Sequence, residues 1–91
     1  MKFSWDPRKD AANITKHGVS FDEAKTVFGD PLAVTEPDEE HSEDEFRYRT
    51  TGESALGRLL VVSHTEPDED DVRIINAQKA DAADRQNYES N

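Results

Sequence analysis

His64 is the residue best suited to moving a proton. An imidazole titrates near neutrality and can both take and return a proton at physiological pH. It closes the strand-like run Leu59-Leu60-Val61-Val62-Ser63, which puts it at a strand end near a sheet rim, on a face shared with Arg58. Arg47, Arg49, Arg58 and Arg73 also fall in runs with strand alternation. A planar guanidinium matches phosphate or carboxylate oxygens two at a time. Charge on the interior face of a sheet is costly, so each arginine must meet solvent, a groove or an acidic partner. If the strands are neighbours, a convergent subset forms a cationic groove for phosphate. The plainer arrangement pairs His64 with the acidic turn after it and each arginine with a nearby acid, at little energetic value. Arg73 has the stronger case, because alternation puts it beside Ile75, where a lone charge needs a reason.

These side chains need elements to hold them. Met1 to Trp5 reads as a short edge strand. Asp6 is a plausible N-cap and Pro7 suits a first helical turn, where its missing N–H costs nothing. That helix runs to Lys16-His17 and stops at Gly18, with Ala11, Ala12 and Ile14 as its apolar stripe. Ser20-Phe21-Asp22-Glu23 is a capping box for a second helix, whose Phe21, Ala24, Val27 and Phe28 share one face. Gly29-Asp30-Pro31 ends it. Strands follow at Leu32–Thr35, Phe46–Thr51, Arg58–Thr65 and Asp71–Gln78, with a turn at Thr51-Gly52-Glu53-Ser54. On the last strand Val72, Ile74 and Asn76 oppose Arg73, Ile75 and Ala77. Asp81 caps a final helix to Tyr88, and Asp84 completes a capping box. Short connections require antiparallel neighbours. The expected fold is α+β: two N-terminal helices and a C-terminal helix on one face of an antiparallel sheet, as a single domain over residues 1–91.

Composition bounds the function further. The net charge is −10. Seven acids lie in Glu36 to Glu45 and five in Glu66 to Asp71, leaving nine elsewhere against 11 Lys and Arg. The bulk of the domain is therefore slightly basic, and the acid forms two solvated segments. There is no cysteine, so disulfides and thiolate metal sites are excluded. His17, His41 and His64 lack zinc-ligand spacing, and no metal or cofactor is expected. The longest aliphatic run, Leu59-Leu60-Val61-Val62, is too short to cross a bilayer. With no apolar signal region at the N-terminus, a cytoplasmic location is expected and no membrane partner. No helix-turn-helix pattern or basic helix suggests a DNA-binding protein acting alone.

The order of particular residues carries more. Trp5-Asp6, Lys9, Asn13, Lys16-His17-Gly18-Val19-Ser20-Phe21, Glu23-Ala24, Val27-Phe28 and Asp30-Pro31 are followed by Arg47, Gly52, Gly57-Arg58, Val61-Val62, His64-Thr65, Arg73-Ile74-Ile75, Ala77, Lys79-Ala80, Arg85 and Tyr88. This series resembles the BrnT-type toxins of bacterial type II toxin–antitoxin pairs. The resemblance implies a RelE-like ribonuclease fold, cleavage of single-stranded RNA that arrests translation, and neutralisation by a BrnA-like ribbon-helix-helix antitoxin. Operator DNA would be reached only through that antitoxin. Two departures remove positive charge. Gln78 stands where the family usually has arginine after the last strand's alanine, and the last helix, Asp81-Ala82-Ala83-Asp84-Arg85-Gln86-Asn87, is poor in arginine.

Metal-independent RNA cleavage needs a base for the 2′-hydroxyl, stabilisation of the charged phosphate, and an acid for the leaving oxygen. The resemblance assigns His64 to base or acid, and Arg47, Arg58 and Arg73 to the phosphate. Arg49, Lys9, Lys16, Arg85 and Tyr88 are candidates for binding RNA. Tyr88 has a second use, packing the last helix on the sheet. His17 fits a helix C-terminus, where the dipole favours a cation, and His41 has no assigned role. The acidic segments are solvated loops or a docking surface for a basic antitoxin segment. The alternative to a nuclease is the same fold with catalysis lost and antitoxin binding kept.

Overall fold

Residues 1–41 and 45–90 are described by a computed structural model of the chain. Its elements are β1 (Lys2–Ser4), α1 (Pro7–His17), α2 (Phe21–Lys25), β2 (Val34–Pro37), β3 (Arg47–Glu53), β4 (Leu59–Asp68), β5 (Asp71–Lys79) and α3 (Ala82–Glu89). Single 3₁₀ turns occupy Thr26–Gly29 and Glu39–His41. The five strands form one sheet in the order β1-β5-β4-β3-β2. Three pairings are antiparallel, but β1 runs parallel to β5, pairing Lys2 with Asp71 and Ser4 with Arg73. The sheet is thus mixed, not purely antiparallel. Short connections constrain only β2 to β5, whereas two helices separate β1 from the rest and let it join the far edge in the other sense.

The core lies between α1–α2 and one sheet face. Val19, Phe21, Ala24 and Val27 meet Leu60, Val62, Val72, Ile74 and Ala77, with Phe3, Trp5 and Phe28 packed at the margin. α1 enters this core with a polar residue. The expected stripe of Ala11, Ala12 and Ile14 is exposed, and Asn13 is the buried residue of the helix. The Asn13 Nδ2 donates to the carbonyls of Val19 and Ala77, both at 2.8 Å, and the Ala77 N–H donates to Oδ1 at 3.1 Å. Past Ser4 the outer edge of β5 has no strand beside it. The carboxamide there substitutes for a neighbouring peptide group.

Side-chain phase along the strands decides what faces the core. Leu60, Val62 and His64 of β4 are each fully buried. On β5 the register shifts between the pairs Ser63–Asn76 and His64–Ile74, leaving Ile75 as an extra residue. This β-bulge inverts the alternation. Ala77, not Asn76, therefore joins Val72 and Ile74 in the core, and Asn76 moves to the opposite face. The expected turn at residues 51–54 is displaced too: β3 continues to Glu53 and the chain turns at Ser54–Gly57, with Gly57 at φ 78°. Gly52 lies within the strand, paired with Leu60, where the 3₁₀ turn after α2 approaches it closely. A Cβ there would sit 2.9 Å from Val27 Cγ1 and 3.0 Å from Ala33 Cβ.

The helix caps match their residues with one exception. Asp6 caps α1, Gly18 ends it at φ 69°, and Asp81 with Asp84 forms a complete capping box on α3. Ser20 Oγ accepts the Glu23 N–H at 3.0 Å, but the Glu23 carboxylate turns away to Arg58 and Ser54. The acidic segments are also more ordered than solvated loops. Glu36 lies in β2, and the β4–β5 hairpin holds Glu66, Asp68 and Asp71; residues 42–44 of the first segment lie outside the described residues. α3 buries no residue, and it borders the sheet face opposite α1 and α2. The helices therefore flank both faces.

Asn13→Ala is expected to lower stability by about 3 kcal/mol, since it strands three backbone groups in a buried place. Urea denaturation of the variant checks this. A loss under about 1 kcal/mol would mean that water replaces the carboxamide at little cost.

Candidate active site

Most of the candidate residues fall in three places. The first is the core. His64 is 0% exposed, not at a rim, because β4 continues four residues beyond it to Asp68. Its ring is stacked against Tyr48 at 5.8 Å and meets Phe28 edge-on at 4.9 Å. Nε2 shares a 2.8 Å hydrogen bond with Thr50 Oγ1, which lies 2.8 Å from Thr35 Oγ1. Nδ1 has no hydrogen-bond partner among the described residues, and the nearest carboxylate oxygen, of half-exposed Glu66, is 3.8 Å away. Burial pushes the imidazole pKa down to about 4, because a charged ring cannot be solvated there. His64 is neutral near pH 7 and closed to a polymeric substrate.

The second place is the seam between α2 and the β3–β4 turn. The Arg58 Nε donates to Glu23 Oε2 at 2.9 Å, its Nη2 donates to Glu23 Oε1, and Nη2 also reaches the Gly18 carbonyl at 3.0 Å. Ser54 Oγ donates to the same carboxylate at 2.7 Å. The Arg58 guanidinium holds the Glu23 carboxyl below its ordinary range. This arginine ties the α1–α2 junction to the sheet through its Nε and Nη2 donors. Arg58, which the sequence pattern puts on the strand of His64, lies just before β4 and is held in this seam and not in a phosphate cradle.

The third place is a groove of about 510 Å³ on the sheet face away from the core. Arg47 and Arg49 of β3, Ser63 of β4, and Asn76 and Gln78 of β5 line it, with Asp81 and Asp84 at the start of α3 and Asp38 beside Arg47. Strand alternation and the β5 bulge together aim these polar side chains one way. The Arg49 Nη2 is 3.3 Å from Asp84 Oδ1. Asp81 spends its carboxylate on the Asp84 N–H at 2.8 Å, and backbone hydrogen bonds hold its pKa below the ordinary value. Lys9, Lys16 and His17 of α1 border a smaller cleft that shares Ile75 and Asn76 with the groove. These lysines thus flank it from the β5 side.

Other candidates lie elsewhere. Arg73 is exposed, with Nη1 3.4 Å from Ser4 Oγ, and does not line the groove. Arg85 is exposed on α3. Tyr88 donates to Asp30 Oδ2 at 2.6 Å, which pushes its pKa up to about 12. Asp30 also accepts the Glu53 N–H at 2.8 Å, so Tyr88 anchors the far end of α3. Of the His41 side chain nothing is described. Sequence reasoning missed Asp38, Ser63, Asn76, Asp81 and Asp84 as groove residues. The bulge that turns Asn76 breaks the alternation at Ile75 alone, too little to show in the sequence, and the acids of α3 read as helix caps. Among the described residues no group of His, Asp and Glu could hold a metal ion, and no helix is long and apolar enough to cross a membrane.

A family model described as "Ribonuclease toxin, BrnT, of type II toxin-antitoxin system" matches residues 5–84. The chain belongs to the BrnT family. BrnT proteins are ribonuclease toxins of type II toxin–antitoxin systems, and an antitoxin is the partner this class implies. The fold is similar to the crystal structure of the Brucella abortus ribonuclease toxin BrnT. That match has a TM-score of 0.70 and 23% sequence identity, and covers 89% of this chain and 97% of the other. No curated protein matches the chain.

The buried imidazole makes stability depend on pH. The unfolded chain protonates His64 below about 6.5, whereas the folded chain resists until about 4. Stability is therefore complete above pH 6.5 and is lost as the pH falls toward 4, by up to about 3 kcal/mol. Glu66 and Tyr48 are the titratable groups facing the ring. Glu23, paired with Arg58, adds a separate loss at lower pH, once its carboxyl protonates. Urea midpoints between pH 7.5 and pH 5 should decline in the wild type and stay nearly level in His64→Gln. Equal slopes in both would remove His64 as the cause.

Proposed function

We propose that this chain is a metal-independent endoribonuclease whose site is the groove of Arg47 and Arg49. It cuts single-stranded RNA, arrests translation, and is silenced by a BrnA-like ribbon-helix-helix antitoxin that covers the same groove. The RelE-like kinship expected from the resemblance belongs to this proposal. The observation that carries it is the convergence of two strand arginines with Ser63, Asn76 and Gln78 in one open groove, flanked by Lys9 and Lys16. Phosphate oxygens suit the guanidinium forks, and the polar side chains suit a sugar or a base edge. Arg58 and His64 serve the fold in this reading, while Arg73 and Arg85 offer charge to RNA running past the groove.

A binding module without catalysis is favoured by two observations. Arg49 is already paired with Asp84, and uncharged Gln78 lies where the family usually carries arginine. In that reading the groove receives an antitoxin segment only.

Purified, EDTA-treated protein and a labelled single-stranded RNA separate the two. Arg47→Ala and Arg49→Ala should each cut the cleavage rate by about 100-fold, the effect typical of losing a charge-stabilising donor. Arg58→Ala should instead lower thermal stability. Cleavage unchanged in both groove variants would move the site elsewhere. A folded wild type that binds antitoxin and cuts neither free nor ribosome-bound RNA would establish the binding module.

A further inference from the structure

Transesterification needs a proton acceptor beside the phosphate, and the burial of His64 leaves that place empty of histidine. The titratable bases lining the groove are the carboxylates Asp38, Asp81 and Asp84. Asp81 is committed to the cap of α3, its carboxylate accepting the Asp84 N–H at 2.8 Å. Asp38 sits next to Arg47, its N–H donating to the Arg47 carbonyl at 2.7 Å. Asp84 differs. Its side chain is 14% exposed, and Oδ1 lies 3.3 Å from the Arg49 guanidinium. The other oxygen, Oδ2, accepts the Asp81 N–H at 3.0 Å, which fixes the carboxylate's orientation. A phosphate seated on Arg47 and Arg49 would bring its adjoining ribose to this carboxylate.

We propose that Asp84 is the general base of the reaction. The assignment rests on the groove being the nuclease site. Asp84 takes the proton of the 2′-hydroxyl as the 2′-oxygen attacks phosphorus. The P–O2′ bond forms and the P–O5′ bond breaks. The departing 5′-oxygen takes a proton from water, and Asp84 returns its own proton to solvent. The products are a 2′,3′-cyclic phosphate and a 5′-hydroxyl, with no oxidant, reductant or metal consumed. Arg49 has two tasks in turn: it holds Asp84 in place in the free protein and shares its donors with phosphate once RNA binds.

The test is steady-state cleavage of a labelled single-stranded RNA by wild type, Asp84→Asn, Asp84→Ala, Asp84→Glu and Asp38→Asn. Asp84→Asn keeps an oxygen for the Asp81 N–H and removes the base. It should lower kcat by 100-fold or more, within the usual range for general bases, with KM unchanged or lower because Arg49 is released. Asp84→Glu should recover part of the rate, and added formate should raise the rate of Asp84→Ala, since a free carboxylate can take the lost place. The acid limb of the wild-type pH–rate profile should vanish in Asp84→Asn. Circular dichroism and urea midpoints identify any variant whose fold is damaged, and for those formate rescue decides. An active wild type with Asp84→Asn equally active, or with Asp38→Asn alone losing turnover, would overturn the assignment and leave the nuclease reading intact. A wild type without cleavage on free or ribosome-bound RNA would overturn both.

Discussion

The carboxamide of Asn13 is the constraint on which the remaining geometry depends. It is 4% exposed and saturates both backbone groups of Ala77 and the carbonyl of Val19. One side chain thereby fixes the height of α1 against β5, the path of the α1–α2 junction, and the point at which β5 stops needing a strand beside it. A buried polar group with its bonds satisfied is geometrically exacting in a way that methyl groups are not. A leucine could slide along the sheet face by an ångström, whereas three hydrogen bonds to two backbone segments cannot be kept through such a shift. The Glu23–Arg58–Gly18 connection secures the other side of the same junction. Together they hold the helices as a rigid backing, so that the opposite face of the sheet can carry charge.

That division between faces explains why residues of similar type stand in different surroundings. Arg47, Arg49 and Arg58 all follow the strand pattern, yet Arg58 locks a helix to the sheet and the β3 pair lines a groove. His64 shows the same effect in reverse. Its chemistry is that of a catalyst, but its surroundings of Phe28, Tyr48 and Thr50 make it a neutral core residue joined to Thr35 through a two-step hydrogen-bond chain. The imidazole, itself fully buried, links three strands, β2, β3 and β4.

Much of the fold was legible in the residues. The caps at Asp6, Ser20 and Asp81 and the stop at Gly18 mark helix ends through local hydrogen bonds and a left-handed glycine, which depend on few neighbours. Strand existence and most strand phases were legible from alternation. The parallel sense of β1 was not, because it depends on where a distant edge lies. Nor was the inverted face of residues after Ile75, since a bulge leaves alternation intact on either side and breaks it at one residue. Of the groove, Arg47 and Arg49 could be read from charge on a strand. Asp84 could not, because a carboxylate in a first helical turn already has a sufficient local reason to be there.

The parallel pairing of β1 with β5 also bears on how the protein is made. Lys2–Ser4 must wait for Asp71–Arg73 before they can pair, and the core face that α1 and α2 cover includes Val72, Ile74 and Ala77. Contacts between such distant parts of a chain form late. During synthesis the helices emerge first, with no sheet to cover, and the groove needs β3, β4, β5 and the start of α3 together. A partly made chain therefore has no assembled groove. If the groove is the site proposed above, a chain still on the ribosome lacks the surface that would act on RNA.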